Sequence, residues 1–402
     1  MKLKLEIFFL AAFLCVPITK AQQRLLTDSL YAPSIDRTSR FMVLLPMEYD
    51  TTQRYPALYL LHGLGGNYTN WTSSSKIADY SARSRIIIVM PDGGSSWYAN
   101  SVSDRSDKYE DYLCDDLQAY VQRKYSIDTL RQGIAGLSMG GYGSLVQGVR
   151  HPEKYIFAGS LSGSVNVPRD IEQREKNSAT VPTVWNLRRI FGEPSSPARS
   201  AYDLLTLSAN ADPDSLPYFY LAIGIQDPLP RFLVGHRDLV DLFSKRGIAY
   251  EYHETPGAHT WTYWDKEIQP LLVRFEEVQR TGYRPLAKTL EAAAVGGDTI
   301  EIRKLFRRLR ANPKFLLDED EMNALGHRLL GSKKFGEAIE VLSLNAETFA
   351  GSATAWGSLG EAYTEAGDPT QAISCYRRAL ELNPSDRSVA EKLETLKNRT
   401  GR

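Results

Sequence analysis

An α/β sandwich, with a mostly parallel sheet flanked by helices and followed by an all-α repeat domain, is the fold class that three observations predict. From Arg24 to about Thr281 short apolar runs alternate with helix-like segments. After Gly282-Tyr283-Arg284-Pro285 the pattern turns helical throughout. Within that tail a unit of 34 residues repeats, the length of a tetratricopeptide repeat.

The strand runs are Arg40 to Leu45, Ala57 to Leu61, Ile86 to Met90, Ile156 to Ala158, Tyr218 to Ile223 and Tyr250 to Tyr252. Several are apolar on both faces, as central strands of a parallel sheet must be when helices cover each side. Between them, Tyr109 to Tyr125 places Leu113, Leu117, Tyr120 and Val121 on one helical face. Arg237 to Arg246 and Lys266 to Arg280 read as further helices. In such a sandwich the site lies at the carboxyl ends of the strands. The stretch from Ser164 to Pro217 is long, carries Pro168, Pro182, Pro194 and Pro197, and holds one short helical piece around Trp185 to Phe191. It reads as a cap or wall over the site, or as a surface loop.

In the tail, Trp356, Leu359, Gly360, Tyr363, Ala372, Tyr376, Ala379 and Pro384 fall at tetratricopeptide spacing. One repeat length earlier stand Leu325, Gly326, Leu329, Ala338 and Leu342, a degenerate unit in register. Leu286 to Val295 and Thr299 to Arg310 form a helix pair that closes the array or docks it on the first domain.

The chain opens on the basic Met1-Lys2-Leu3-Lys4, continues with an apolar stretch from Ile7 to Pro17 and reaches Thr19-Lys20-Ala21. That order reads as a secretory signal peptide over residues 1–21, too short in its apolar part for a membrane anchor. Leu14 before Cys15 is too bulky for a lipidation site. The expected organisation is a signal peptide at 1–21, an enzyme domain at 22–282 and a helical repeat domain at 286–402, exported to the periplasm or secreted. Cleavage removes Lys2, Lys4, Lys20 and Glu6, leaving 45 basic against 47 acidic groups. A balance this even gives no reason to expect nucleic acid or an anionic membrane as partner, and no integral membrane segment remains. Cys114 and Cys375, alone in separate domains, suggest neither a disulfide framework nor a zinc site.

Gly136-Leu137-Ser138-Met139-Gly140 follows the apolar run Gly133-Ile134-Ala135 and precedes Gly141-Tyr142-Gly143-Ser144-Leu145, which can open a helix. Strand, sharp turn, helix is the setting of a nucleophile elbow, in which a serine at strained backbone angles lifts its hydroxyl clear of the sheet. In the α/β-hydrolase fold an acid and then a histidine follow on later loops. Asp227 ends the run that begins at Tyr218, and His259 lies in Thr255-Pro256-Gly257-Ala258-His259-Thr260-Trp261, so Ser138, Asp227 and His259 satisfy the order. The hydroxyl is too weak an acid to attack unaided at neutral pH, so an imidazole must take its proton and a carboxylate must orient the imidazole. Asp238 and Glu254 are rival acids, and His253 is the next candidate base. His62-Gly63-Leu64-Gly65-Gly66 after the strand at 57–61 has the form of an oxyanion loop, with donors expected at the amides of Leu64 and Met139.

Taken together, Tyr59-Leu60-Leu61-His62-Gly63, Pro91-Asp92-Gly93, Tyr109-Glu110-Asp111-Tyr112, Gly136 to Gly143, Gly224 to Asp227 and Gly257 to Trp264 resemble the serine esterases of the esterase D group. That group includes S-formylglutathione hydrolases, feruloyl and acetylxylan esterases and the mycobacterial mycolyltransferases. The resemblance covers about Ser39 to Arg280 and implies an α/β-hydrolase fold, a Ser138–His259–Asp227 triad, oxyanion donors at Leu64 and Met139, and no metal or organic cofactor. The export signal departs from the cytosolic glutathione-thioester branch. The implied activity is a serine carboxylesterase acting on short-chain or carbohydrate-linked acyl esters. Trp71, Trp97, Tyr98, Trp261, Tyr263 and Trp264 lie in or next to loops expected around the site, and Trp71, Trp97, Tyr98 and Trp261 are candidates for a pocket that stacks on sugar or aromatic acyl groups. Acyl transfer to a sugar by the same triad, and a silent hydrolase scaffold presenting the repeats to a protein partner, are the competing readings.

Overall fold

The computed structural model describes residues 24–82, 84–173 and 182–400. The expected signal peptide at 1–21 lies outside the described residues. Eight strands form one sheet: β1 (Arg24–Ala32), β2 (Arg37–Leu45), β3 (Tyr55–Leu61), β4 (Ile87–Pro91), β5 (Ile127–Leu137), β6 (Phe157–Leu161), β7 (Tyr218–Gly224) and β8 (Tyr250–Thr255). Their order is β1-β2-β4-β3-β5-β6-β7-β8, with β1 and β2 antiparallel to their neighbours and every pair from β4 to β8 parallel. This is the mostly parallel, helix-flanked sheet expected.

Period-two alternation divides the apolar residues of each strand between two cores. Ala57, Tyr59 and Leu61 of β3 pack on one face with Leu113, Val121, Tyr142 and Leu145. Leu58 and Leu60 pack on the other with Ile268, Leu271 and Phe275. The flanking helices are α1 (Gln118–Lys124, continuing a π-helical turn over Tyr112–Leu117), α2 (Met139–Arg150), α3 (Pro230–Arg246) and α4 (Trp261–Thr281). Each fully buried aliphatic or aromatic side chain contributes about 1.5–3 kcal/mol, so the two cores outweigh any single polar contact.

Three differences from expectation have physical causes. Strand β1 was not expected: it is an edge strand in which exposed Leu25, Thr27, Ser29 and Tyr31 alternate with more buried residues, so it lacks a continuous apolar run. Helices α3 and α4 start at Pro230 and Trp261, a turn or more early, because Pro230 fits the first helical turn and Phe232, Tyr263 and Trp264 are buried there. The insertion between β6 and β7 packs along the flank. Its helices Pro182–Phe191, Pro197–Ala201 and Leu204–Asn210 precede β7, and the last packs against both α2 and α3. None of its described side chains lines the cavity at Ser138.

The tail consists of α5 (Leu286–Gly296), α6 (Thr299–Arg310), α7 (Glu319–Gly331), α8 (Phe335–Thr348), α9 (Ala353–Glu365), α10 (Pro369–Leu382) and α11 (Arg387–Thr400). Asp298, Asp318, Ser352 and Asp368 cap helices α6, α7, α9 and α10 by accepting from first-turn amides, each worth about 1 kcal/mol. A Cβ on Gly326 would lie 2.4 Å from Leu342 Cγ, and one on Gly360 would lie 2.6 Å from Tyr376 Cε1. The same close helix crossing thus recurs in both units, which is the physical content of their register. A groove of about 800 Å³ runs between α7, α9 and α11, lined in part by His327, Glu361, Tyr376 and Lys392.

Repeats and sheet meet at a polar seam. Arg284 and Pro285 (β9) pair in parallel with Phe315 and Leu316 (β10). The guanidinium of Arg284 donates to Leu216 O at 3.0 Å and to Pro213 O, and pairs with Asp214 at 2.8 Å. Lys314 Nζ donates to Pro152 O at 2.5 Å and Ser215 O at 2.7 Å, and Tyr283 OH donates to Leu216 O at 2.7 Å. All these carbonyls precede β6 or β7, so the seam lies at the amino ends of the strands.

Candidate active site

The candidate nucleophile sits where β5 meets α2. Ser138 has φ 52° and ψ −113°, a conformation that costs energy for any residue with a Cβ. The turn tightens enough that a Cβ on Gly136 would stand 2.6 Å from the Gly140 carbonyl, and one on Gly140 would stand 2.6 Å from His62 O. The strain is held in place by Ser138 N–H donating to Leu161 O at 2.9 Å and by Tyr142 N–H donating to Ser138 O at 3.0 Å. The parallel pairing of Leu61 with Gly136 and of Leu137 with Leu161 brings Ser138 level with the ends of β3 and β6.

Asp227 stands in the turn after β7, its amide donating to Gly224 O at 3.0 Å and one carboxylate oxygen accepting from Leu229 N–H at 3.0 Å. His259 stands in the loop after β8. The two loops touch: Gln226 N–H donates to Gly257 O at 2.9 Å, and a Cβ on Gly224 would lie 2.2 Å from that same oxygen. His259 Nδ1 is 2.8 Å from Asp227 Oδ2, and His259 Nε2 is 2.9 Å from Ser138 Oγ. A carboxylate can only accept, so Nδ1 carries the proton and Nε2 accepts from the serine hydroxyl. The Asp227 side chain is 1% exposed and that of His259 17%, so the pair is shielded on the acid side and open on the serine side. Trp264 meets the imidazole edge-on at 4.9 Å and Phe232 does so at 5.5 Å.

Met139 is the first residue of α2, so its amide has no acceptor within the helix. Leu64, in the loop after β3, lines the same cavity as Ser138 and His259. That cavity, about 280 Å³, is walled by Leu64, Leu137, Trp261 and Trp264.

The other candidates go elsewhere. Asp238 is exposed on α3, and Glu254 is engaged by Arg237 through two hydrogen bonds of 2.7 Å, which hold its carboxyl down at about 2. His253 bonds Glu251 at 2.5 Å within β8. Of the four proposed pocket aromatics, only Trp261 lines the cavity. Trp71 is 1% exposed, donates to Leu61 O at 3.0 Å and supports Trp261 from beneath, ring edge to face at 5.3 Å. Trp97 and Tyr98 have φ near 57° and 55°, which turns both side chains inward: Trp97 packs on Tyr142, and Tyr98 OH donates to His62 O at 3.1 Å. They build the floor. Trp264, one of the aromatics expected around the site, and Leu137, which the sequence did not point to as a wall residue, complete the wall. Trp264 stands three residues after Trp261 on one helix, the spacing that puts both rings on the same face.

Among the described residues no group of three or more His, Cys, Asp or Glu side chains is placed to hold a metal ion, and no helix is long and apolar enough to cross a membrane.

A family model described as "Putative esterase" matches residues 32–275, and the tetratricopeptide repeat model matches residues 353–386. The chain is similar to an acetyl esterase of Caldicellulosiruptor saccharolyticus, 27% identical over 252 residues that make up 59% of this chain and 92% of that one. It is also similar to the diacylglycerol acyltransferase/mycolyltransferase Ag85B of Mycobacterium leprae, 25% identical over 54% of this chain and 74% of the other. Among solved structures, the substrate-bound fluorophosphonate-binding serine hydrolase F of Staphylococcus aureus superposes with a TM-score of 0.55 at 25% identity, covering 63% of this chain and 98% of that one.

Proposed function

Since the chain belongs to that esterase family and is a carboxylesterase, we propose that it cleaves esters through an acyl intermediate on Ser138. The observation that carries this reading is the imidazole of His259 bridging Ser138 Oγ and the buried Asp227 at 2.9 and 2.8 Å. Ser138 Oγ attacks the ester carbonyl carbon while its proton passes to His259 Nε2. The negative charge moves to the carbonyl oxygen, which the amides of Leu64 and Met139 receive; a donor of this kind is worth about 3 kcal/mol in the transition state. Asp227 stabilises the imidazolium through Nδ1–H. The tetrahedral species collapses as the bond to the alcohol oxygen breaks, and His259 returns the proton to that oxygen. Water then gives its proton to His259 and attacks the acyl carbon, the bond to Oγ breaks, and Ser138 regains its proton.

The substrate we propose is an ester of a short acyl group, including acyl groups carried on carbohydrate. A cavity of about 280 Å³ supports this, since it lies at the small end of ligand pockets, about 300–1,000 Å³. The acetyl esterase relative supports it as well. The mycolyltransferase relative favours a second reading, in which a sugar hydroxyl replaces water in the second half-reaction. We also propose export with cleavage after Ala21, and a protein partner for the repeats. A fluorophosphonate adduct found by mass spectrometry on Ser138 tests the mechanism, and an adduct on another serine overturns it. Turnover of 4-nitrophenyl esters by chain length, with acetylated xylan, methyl ferulate and a sugar acceptor, separates the substrate readings. Amino-terminal sequencing of the exported protein tests the cleavage.

A further inference from the structure

The peptide between Gly63 and Leu64 has one end in the site and the other in the floor. A trans peptide is planar, with its C=O and N–H pointing opposite ways, so whatever holds the carbonyl aims the amide. Gly63 O lies 2.8 Å from His62 Nδ1 and accepts from Gly66 N–H at 3.0 Å. On the far side of the ring, His62 Nε2 accepts from Gly93 N–H at 2.8 Å. That acceptor role leaves the imidazole proton on Nδ1, where it is donated to Gly63 O. The ring is 1% exposed. Tyr98 meets it edge-on at 5.9 Å, and Asp92 Oδ1 stands 3.9 Å from Nε2. Burial holds its pKa below the ordinary histidine value, opposed by the hydrogen bond to Gly63 and the charge of Asp92. The knot is tight: a Cβ on Gly66 would lie 3.1 Å from His62 Nδ1 and 3.0 Å from Gly63 O.

We infer that His62, as the Nδ1–H tautomer, is a positioning residue that turns the Gly63 carbonyl away from the site and so aims the Leu64 amide at the substrate oxygen. The inference rests on the proposed Ser138 mechanism. His62 takes no proton from the substrate. It acts on the transition state only through the direction of one amide.

Two substitutions divide its bonds. In His62→Asn the amide nitrogen can occupy the Nδ1 place and donate to Gly63 O, but the acceptor for Gly93 is lost. In His62→Gln the amide oxygen can accept from Gly93, but the donor to Gly63 is lost. His62→Gln is expected to lower kcat about 100-fold, the scale of a lost oxyanion donor, with KM within about threefold of the parent. His62→Asn is expected to stay within about tenfold in kcat. The rate of fluorophosphonate labelling should fall in the same order, because the phosphoryl oxygen uses the same donors. Equal losses in both variants, or a larger loss in Asn than in Gln, overturn the inference. Nitrogen NMR of the unsubstituted protein tests the tautomer even where a variant fails to fold: a proton on Nε2 at neutral pH overturns it too. Labelling at Ser138 with an unchanged rate in His62→Gln would sink the role of His62 alone, whereas labelling of a different serine sinks the Ser138 mechanism.

Discussion

At the carboxyl ends of β3, β5 and β7 a single added methyl group has nowhere to go, whereas at the amino ends of β6 and β7 the repeats are held by long cationic side chains reaching carbonyl oxygens. The first end is built from backbone-to-backbone approaches of Gly136 with Gly140 and of Gly224 with Gly257. The second is built from Arg284, Lys314 and Tyr283. Geometry at the first end is stiff because hard cores set it. At the second, stability is shared among several replaceable bonds. A site that must hold three side chains and two amides in register needs the first kind of construction, and a junction between two folded units needs only the second.

The contrast is broken or sharpened by seven changes, taken from the largest expected effect down. Ser138→Ala and His259→Ala should each lower kcat for a 4-nitrophenyl ester by at least about 10⁴-fold with the fold intact, and Asp227→Asn by about 10³–10⁴-fold. Circular dichroism alongside the kinetics checks this, and near-normal turnover in any of the three would remove that residue from the mechanism. Gly140→Ala puts a Cβ 2.6 Å from His62 O and 2.7 Å from Leu61 O, so overpacking should cost about 2–3 kcal/mol or more of stability. Activity should fall too, because the elbow and the loop that bears Leu64 are pushed apart; urea unfolding with parallel kinetics shows whether the two losses travel together.

Arg284→Ala should leave kcat and KM within about twofold while the helical tail melts before the sheet. Calorimetry that still finds one cooperative transition would mean that the seam is held by something other than these bonds. Residues 22–282 alone should likewise hydrolyse a soluble short ester. The smallest effect concerns Lys314, whose pKa burial pushes down to about 8, with the neighbouring Arg284 charge adding to the shift. Below pH 8 both folded and unfolded chains carry its proton, and the folded one bears the full cost of burying the charge. Between about 8 and 10.5 the unfolded chain holds more protons, so this group makes stability rise with pH. Lys314→Met should remove that rise, seen as a flatter Tm against pH over the same interval.

The site was more legible than its surroundings because chain order and glycine spacing carry it. Ser138 is marked by glycines two residues to either side, Gly136 required by its approach to Gly140 within the elbow and Gly140 by the carbonyls of Leu61 and His62 at the end of β3. Asp227 and His259 follow from the order of the strands that end beside them. The aromatic residues show the limit of that reading: sequence places Trp97 and Tyr98 near the site, but their two consecutive left-handed backbone angles decide which way the rings point. No local pattern announces those angles, since neither residue is a glycine or asparagine. Strand β1 escaped notice because an edge strand exposed at alternate residues has no continuous apolar run. The seam was illegible for a different reason. The partners of Arg284 and Lys314 are carbonyl oxygens, which every residue has, so no side-chain type at Pro152, Pro213, Ser215 or Leu216 signals the contact.

The placement of the seam has one further consequence. With the array bolted to the amino-terminal edge of the sheet and Ser138 at the carboxyl end, the seam uses none of the residues that line the cavity at the nucleophile. Under the proposal that the repeats bind a protein partner, the tail is a mooring: it sets where the enzyme resides, and the enzyme acts on the esters within reach of that point. Tethering of this kind raises the local concentration of catalyst by an amount set by reach and geometry, without a new contact to substrate. On that proposal, selectivity among esters comes from address as well as from the shape of the pocket.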